Sequence, residues 1–454
     1  MIDGGDMKRL LVLVVALSTI GLGTVSTAQA QGAGRPGVTA TEIKVGGLSS
    51  PLSVLNVPYA DGFDGVNAYF DTINKKGGVY GKKLKLVAQL DDLGSPSGNI
   101  RAVRSLVEEK KVFAVMPVMT NSFAGSAYLA SKNVPTFGLN IDAGWCGTST
   151  EHRAVEDAIA AGKYDKVCPR PTLFGEKGSF ICFGCGQISP SYVALQKGAK
   201  RAALFTYTHS SSAACAEGTR AGFKQYGIDL VYEDTSLEFG FSDVSADVQA
   251  LKDKNVDFVS TCMDFGGAFK ISQGLKQAGG TGVTFYAPEG YRESTIKKYG
   301  SQLNGWFFGF GFVPWQSKVL PAGTKAYLKA MKQKGIAPSE QSQAGWINAN
   351  MFVDGLLKSG KDFTQASVVD AINSFTDFTA NGMIPPQNWS NGHGPDTQAC
   401  AAYVEAVNGK FVPRFGKPGQ PIVCFPDNPR PPTLDDPYYL PAKTGTTTTT
   451  SAGS

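Results

Sequence analysis

The sequence predicts an α/β protein built as two doubly wound parallel-sheet lobes, on three observations. Ile43 to Asp92 reads as strand, helix, strand, a βαβ unit that commits its sheet to parallel pairing. The alternation continues to Gly138. After a break, the same succession of strands and helices starts again at Ala202 and runs to Ala287. In open sheets of this kind ligands sit outside the carboxyl ends of the strands, so two lobes facing one another define a cleft.

Each element has a local reason. Ile43 to Leu48 is a short apolar run rich in β-formers, closed by Ser49-Ser50-Pro51. Tyr59, Phe63, Val66, Phe70 and Ile73 then recur at helical steps on one stripe, with Asp61, Asp64, Asn67 and Asp71 off it. Gly77-Gly78 ends that helix, because glycine tolerates positive φ. Lys83 to Leu90 is the second strand and finishes in Asp91-Asp92; Gly94-Ser95-Pro96-Ser97 is a turn and helix cap. A helix over Asn99 to Lys110, a strand over Val112 to Val115 and a loop over Met116 to Ser122 follow. Phe123 to Lys132 is a helix and Val134 to Gly138 a fourth strand. From Asp142 to Gln187 the pattern dissolves, and so long an excursion in a compact domain is usually functional or stapled.

In the second copy the strands are Ala202 to Thr206, Ile228 to Tyr232, Val256 to Cys262 and Thr284 to Ala287. Helices over Ala214 to Tyr226, Val244 to Lys254 and Ala268 to Ala278 separate them. Trp306 to Phe312 is an aromatic strand read as a crossing back to the first lobe. Helices follow over Ala326 to Lys334, Gln343 to Leu357 and Gln365 to Phe375. Ala401 to Val407 and Lys410 to Pro413 form a hairpin, since Asn408-Gly409 suits a two-residue turn. Residues 41–183 with 312–380 are expected to form one lobe, and 184–311 with 381–426 the other. The Pro- and Thr-rich 427–454 is expected to be disordered.

Composition narrows the function. With 454 residues, 42% hydrophobic and 18% charged, the chain can bury a large core. A net charge of +5 without a Lys/Arg cluster gives no nucleic-acid face. Met7-Lys8-Arg9, the apolar Leu10 to Leu17 and Ala28-Gln29-Ala30 make 1–30 a signal peptide with Met7 as its natural start; an exported, soluble protein follows. Eight cysteines suit structural disulfides in an oxidising compartment; Cys146 with Cys168 and Cys400 with Cys424 are two possible pairs. Cys182-Phe183-Gly184-Cys185 lacks the second ligand pair that zinc needs, because His152, His209 and His393 are scattered. No metal and no cofactor are expected.

No nucleophile elbow, zinc-protease helix, Walker loop or dinucleotide fingerprint is present, so no catalytic residue is assigned. Asp91-Asp92 suits a cap better than acid–base work, and His209 beside Ser210-Ser211-Ser212 is not how triads are assembled. Small polar groups on the cleft-side loops remain: Ser49-Ser50, Thr120-Asn121-Ser122 and Asn140 in the first lobe, Thr208 to Ser212, Asp264 and Glu289 in the second. Thr120 to Ser122 precede a helix, whose free N–H groups either hold a carboxylate or are simply capped. Glu289, just after the last strand of the second copy, either meets an ammonium or is a solvated loop acid. Trp145, Tyr207 and Phe265 are candidates for an apolar wall.

Ile43-Lys44-Val45-Gly46, the run Gly77 to Leu84, Asp91-Asp92 and Pro288-Glu289-Gly290 together resemble the type I periplasmic binding proteins of ABC importers, in the leucine/isoleucine/valine-binding branch. The resemblance covers roughly Thr41 to Ile372. It implies two lobes joined by a three-strand hinge, closing on a small polar ligand such as an amino acid. It also implies a membrane permease as partner; the chain itself is expected to be a monomer. By position, Thr120, Asn121 and Ser122 would match the loop for the α-carboxylate, Leu139 to Ile141 the segment beside it, and Glu289 the acid for the α-ammonium. Ser50, His209 and Ser211 join the expected contacts by their place on the loops. Three stretches depart from the pattern: His209 to Ser212, the excursion 142–187, and Met263-Asp264-Phe265. A ligand sensor of the same fold and a secreted enzyme are the rival readings.

Overall fold

The computed structural model describes residues 35–50, 57–161, 163, 167–178, 188–394, 398–426 and 433–442. The expected signal peptide and Cys182 to Cys185 lie outside them. In the first lobe β1 (Glu42–Ser49), β2 (Lys83–Asp91), β3 (Ala114–Met119), β4 (Thr136–Gly138) and β5 (Leu173–Gly175) form one parallel sheet in the order β2-β1-β3-β4-β5. All residues of β3 and β4 are buried, as strands covered on both faces must be. The helices between them are α1 (Asp61–Asn74), α2 (Pro96–Arg104), α3 (Ser126–Ser131) and α4 (Ser149–Ala160).

The second lobe repeats the plan. It opens with α5 (Ser189–Gln196). Strands β6 (Arg201–Tyr207), β7 (Asp229–Leu237), β8 (Phe258–Cys262), β9 (Thr284–Ala287) and β10 (Trp306–Phe310) pair in parallel as β7-β6-β8-β9-β10. This is the first lobe's order again. Helices α6 (Ser210–Gln225), α7 (Ser245–Asp253), α8 (Phe265–Gln277) and α9 (Glu293–Tyr299) alternate with them. Three antiparallel strands extend the sheet beyond β10: β11 (Gln398–Val407), β13 (Ile422–Pro426) and β14 (Tyr438–Leu440), while β12 (Lys410–Arg414) pairs with β11.

Helices α10 (Ala322–Lys334), α11 (Glu340–Ser359) and α12 (Gln365–Ile372) return to the first lobe. There α1 and α11 meet backbone to backbone. A Cβ on Gly65 would stand 1.8 Å from the Ser342 carbonyl oxygen, and one on Gly345 2.0 Å from that of Gly62. Any side chain at either glycine would force the helices apart. The chain leaves the first sheet after β5, returns to its helices after β10 and joins the second sheet again at β11, so the described residues around Glu176, Phe312 and Gln387 stand at the passages between the lobes.

Five sequence expectations are corrected. The excursion 142–187 contains a helix, α4, and the fifth strand, β5. Strand β3 runs on to Met119, where a loop from Met116 was expected. The ladders to β1 and β4 shift register around Pro117, so its missing N–H falls at an irregularity that tolerates it. The helix expected from Phe123 begins only at Ser126. β10 is no crossing strand, because it is hydrogen-bonded between β9 and β11. The tail is not wholly irregular either: Tyr438–Leu440 pairs with β13.

Three disulfides close among the described residues. Cys146–Cys168 and Cys400–Cys424 match the expected pairs, and Cys215–Cys262 ties the start of α6 to the end of β8. No helix among the described residues is long and apolar enough to cross a membrane, and none of those residues cluster as metal ligands.

Candidate ligand-binding site

The loops at the carboxyl ends of both sheets enclose a cavity of about 500 Å³. The first lobe supplies Val57, Tyr59, Met119, Asn121, Leu139, Asn140 and Ile141. The second supplies Tyr207, His209, Ser211, Phe239, Asp264 and Glu289. The passages between lobes add Glu176, Lys177, Phe312 and Gln387, and the first turns of α11 add Glu340, Gln341, Ala344 and Ile347. A mixed apolar and polar concavity of this size suits a small organic molecule.

Of the residues singled out from sequence, Asn121, Leu139, Asn140, Ile141, Tyr207, His209, Ser211, Asp264 and Glu289 are brought together on this wall. Ser50, Thr120, Ser122, Trp145 and Phe265 are not among its lining residues. Ser50 stands behind it: its Oγ lies 3.1 Å from both Asp92 Oδ2 and Asn121 Oδ1, so it positions Asn121. Asp92 also accepts from Gly94 N and Asn99 Nδ2, while Asp91 accepts from Leu93 N. The acid pair therefore pins the turn into α2.

The expected carboxylate cradle is largely occupied by the protein itself. Phe123 N donates to Asp142 Oδ1 at 3.1 Å, and Gly125 N to Asn99 Oδ1 at 2.9 Å. Thr120 is buried without a hydroxyl partner, and Ser122 offers its carbonyl to Asn99. Trp145 packs on Phe123 at a ring separation of 4.8 Å, in the core of the first lobe. Phe265 is likewise core, stacked against Phe269.

On the second lobe the acids are held in place. Asp264 caps α8, accepting from Gly266 N at 2.7 Å and Gly267 N at 3.3 Å, while the Tyr207 hydroxyl donates to its other oxygen. Glu289 pairs with Arg292 at 2.5 Å and accepts from Phe265 N at 3.1 Å. Its expected freedom to meet an ammonium is thus shared with an internal cation. Across the cleft, Glu340 of α11 accepts from Gly290 N at 3.1 Å and Tyr291 N at 2.6 Å, a direct clasp between the lobes.

Burial raises the carboxyl pKa of Asp264, Glu176 and Glu289, with Arg292 opposing the rise in Glu289. Burial, helped by the charge of Glu289, pushes Glu340 up to about 8. Burial lowers His209, which caps α6 by accepting from Ser211 N. Its Nδ1 lies 2.9 Å from Ser211 Oγ, and among the described residues no carboxylate hydrogen-bonds the ring; this is capping geometry rather than a triad.

Sequence reasoning missed Tyr59, Glu176, Phe239, Glu340, Gln341 and Gln387. Two had a readable signal. Ser339 with Ser342 forms a capping box, which starts α11 at Glu340 rather than Gln343. The repeat itself calls for a fifth strand ahead of Glu176, matching β10.

Comparison with known proteins agrees with this architecture. A benzoate-bound ABC transporter solute-binding protein from R. palustris is 18% identical, covers 82% of this chain and 95% of its own, and superposes with a TM-score of 0.64. The isoleucine-bound branched-chain amino acid transporter substrate-binding protein LivJ from Streptococcus pneumoniae is 19% identical, over 82% of this chain and 98% of its own, with a TM-score of 0.61. A fatty acid ABC transporter substrate-binding protein from Thermomonospora curvata is 17% identical, over 84% and 92%, with a TM-score of 0.65. At such identities the likeness is one of fold. No curated protein sequence matches the chain. The model of the periplasmic binding protein family matches residues 42–410, and the chain belongs to that family.

Proposed function

We propose that this protein is the extracytoplasmic solute-binding component of an ABC importer. Its lobes close on one small organic solute and present the closed form to a membrane permease. The observation that carries the reading is the shared cavity, to which each lobe and the passages between them contribute walls. Such a site is complete only when the lobes are together, so the ligand's contacts themselves drive closure. The three structural relatives bind benzoate, isoleucine and, by name, fatty acid, so the fold alone leaves the solute open.

An amino acid or similar small polar solute is the ligand that the sequence implies. Asn121 and Lys177 would face its acid group, and Asp264 and Glu340 its amine. Nothing in the arrangement asks for turnover: the polar groups hold, cap and pair. Thermal-shift screening of the full chain against amino acids, amides, amines and small carboxylates, followed by small-angle scattering, tests the reading. A ligand that raises the melting temperature should also reduce the radius of gyration. Stabilisation without compaction, or no stabilisation by any class, would reject it.

A further inference from the structure

We infer that the cavity selects a positively charged amine carried on an apolar body, and that a carboxylate on the ligand is not needed. The inference deepens the solute-binding proposal and rests on it.

The first ground is an excess of acceptors. Glu176, Asp264, Glu289 and Glu340 line the cavity, against Lys177 as the lining's one permanent cation among the described residues. Counting Arg292, which Glu289 already holds, the carboxylates still outnumber the cations by two. The acids crowd one another: the charge of Glu289 helps to keep Glu340 protonated, a repulsion that a cation in the cavity would relieve.

The second ground is independent of charge. Gln341 and Gln387 are 5% and 6% exposed, and their Oε1 atoms have no hydrogen-bond partner. Gln387 Nε2 donates to the Glu176 carbonyl at 2.8 Å, which tells the amide's nitrogen from its oxygen and leaves that oxygen on the lining residue unpaired. A buried acceptor left so is costly; both oxygens sit behind the cavity surface, so a turn of the side chain brings them to a ligand, and an ammonium then brings three donors and no acceptor.

The third ground is that the backbone N–H groups that would cradle a carboxylate are taken. Around the cavity Phe123 N is given to Asp142, Gly266 N and Gly267 N to Asp264, and Gly290 N and Tyr291 N to Glu340. The loop ends that would cradle an anion are plugged by the protein's own carboxylates. The remaining wall mixes aliphatic and aromatic groups, with Tyr207 and Phe239 rings 4.5 Å apart and Tyr59 and Phe312 also on the lining, which suits both an apolar body and an ammonium over a π-face.

Titration calorimetry on the full chain with matched probes tests this: 2-phenylethylamine, phenylalanine, 3-phenylpropionate and 2-phenylethanol, with butylamine and hexylamine to vary the body. The expected result is that the best amine binds about tenfold or more tighter than the zwitterion and carboxylate of the same skeleton. Asp264→Asn, which keeps the cap of α8, and Glu340→Gln should each weaken that amine about tenfold or more while sparing the neutral alcohol. Equal or tighter binding of phenylalanine or phenylpropionate, or amine affinity unmoved by both substitutions, overturns the inference. So does failure of every amine while solutes of another class bind and compact the protein; the solute-binding reading then survives. Failure of every class removes both.

Discussion

The two lobes share a strand order yet put different chemistry at corresponding places. At the end of β1 stands Ser50, at the end of β6 His209 and Ser211. After β3 come Thr120 and Asn121, after β8 Met263 and Asp264; after β4 come Leu139 to Ile141, after β9 Pro288 and Glu289. The first lobe's strand-end loops present neutral amides and apolar groups, and the second's present acids and an imidazole. Strands answer to the sheet and its flanking helices, but the loops beyond their carboxyl ends answer to the ligand. Duplication thus yields two jaws whose three pairs of strand-end loops are alike in frame and unlike in charge, while Glu176 after β5 and Glu340 of α11 bring acids to the cavity from outside those pairs.

Glu289→Ala is the strongest way to break that asymmetry. The resemblance assigned Glu289 to a ligand ammonium, whereas the structure pairs it with Arg292, and the two side chains are only 15% and 11% exposed. Removing the acid leaves a buried guanidinium whose Nε already lacks a partner. Loss of roughly 3–5 kcal/mol in urea unfolding is expected, with much of it regained in Glu289→Ala/Arg292→Met. Asn121→Ala, on the neutral jaw, should cost about 1 kcal/mol or less. Equal effects on the two jaws would show that the second lobe's charges are not structural.

The disulfides sharpen the same contrast with a smaller effect. Cys215–Cys262 spans 47 residues and Cys146–Cys168 spans 22. Chain entropy gives each about 3–4 kcal/mol, and makes the second lobe's bridge worth about 0.7 kcal/mol more. Unfolding of the two Cys→Ala pair variants should rank in that order. The reverse order would mean that the excursion 142–187, rather than α6 and β8, is the part most dependent on its staple.

How much of this was readable from the chain follows from the range of the interactions. Local periodicity exposed α1, because four of the five spaced apolar residues, Phe63, Val66, Phe70 and Ile73, sit on one stripe of it, and the Asn408-Gly409 turn exposed the β11–β12 hairpin. β5 escaped because Leu173–Gly175 is three residues long and draws its stability from pairing with β4. Nine of the expected contacts line the cavity, since they follow strands directly. Glu340, Gln341 and Gln387 were not expected, because α11 and the stretch around Gln387 reach the cavity by tertiary packing alone. Sequence order likewise hid Arg292 as the partner of Glu289: a three-residue spacing reveals a salt bridge only once the loop's path is known.

The last expected effect is on pH dependence, and it asks which groups make the stability titrate. Burial holds Asp354 of α11 up at about 7 and Glu340 up at about 8, while burial beside Phe174 and Trp389 holds His393 down at about 4. For the two acids the folded state keeps protons that the unfolded chain has released, so stability falls as pH rises from the ordinary carboxyl range through 7 to 8. For His393 the sign is opposite: the unfolded imidazole takes up a proton first, and stability falls as pH drops from about 6.5 towards 4. The terms offset each other on the acid side. Above pH 6.5 the acids dominate, so the free energy of urea unfolding should decline from pH 6.5 to 8.5, by roughly 3 kcal/mol. Asp354→Asn and Glu340→Gln should flatten that decline, and His393→Asn should leave it unchanged while improving stability near pH 5. A decline that survives both acid substitutions would move its source to the other jaw, where Asp264 and Glu289 are also raised by burial.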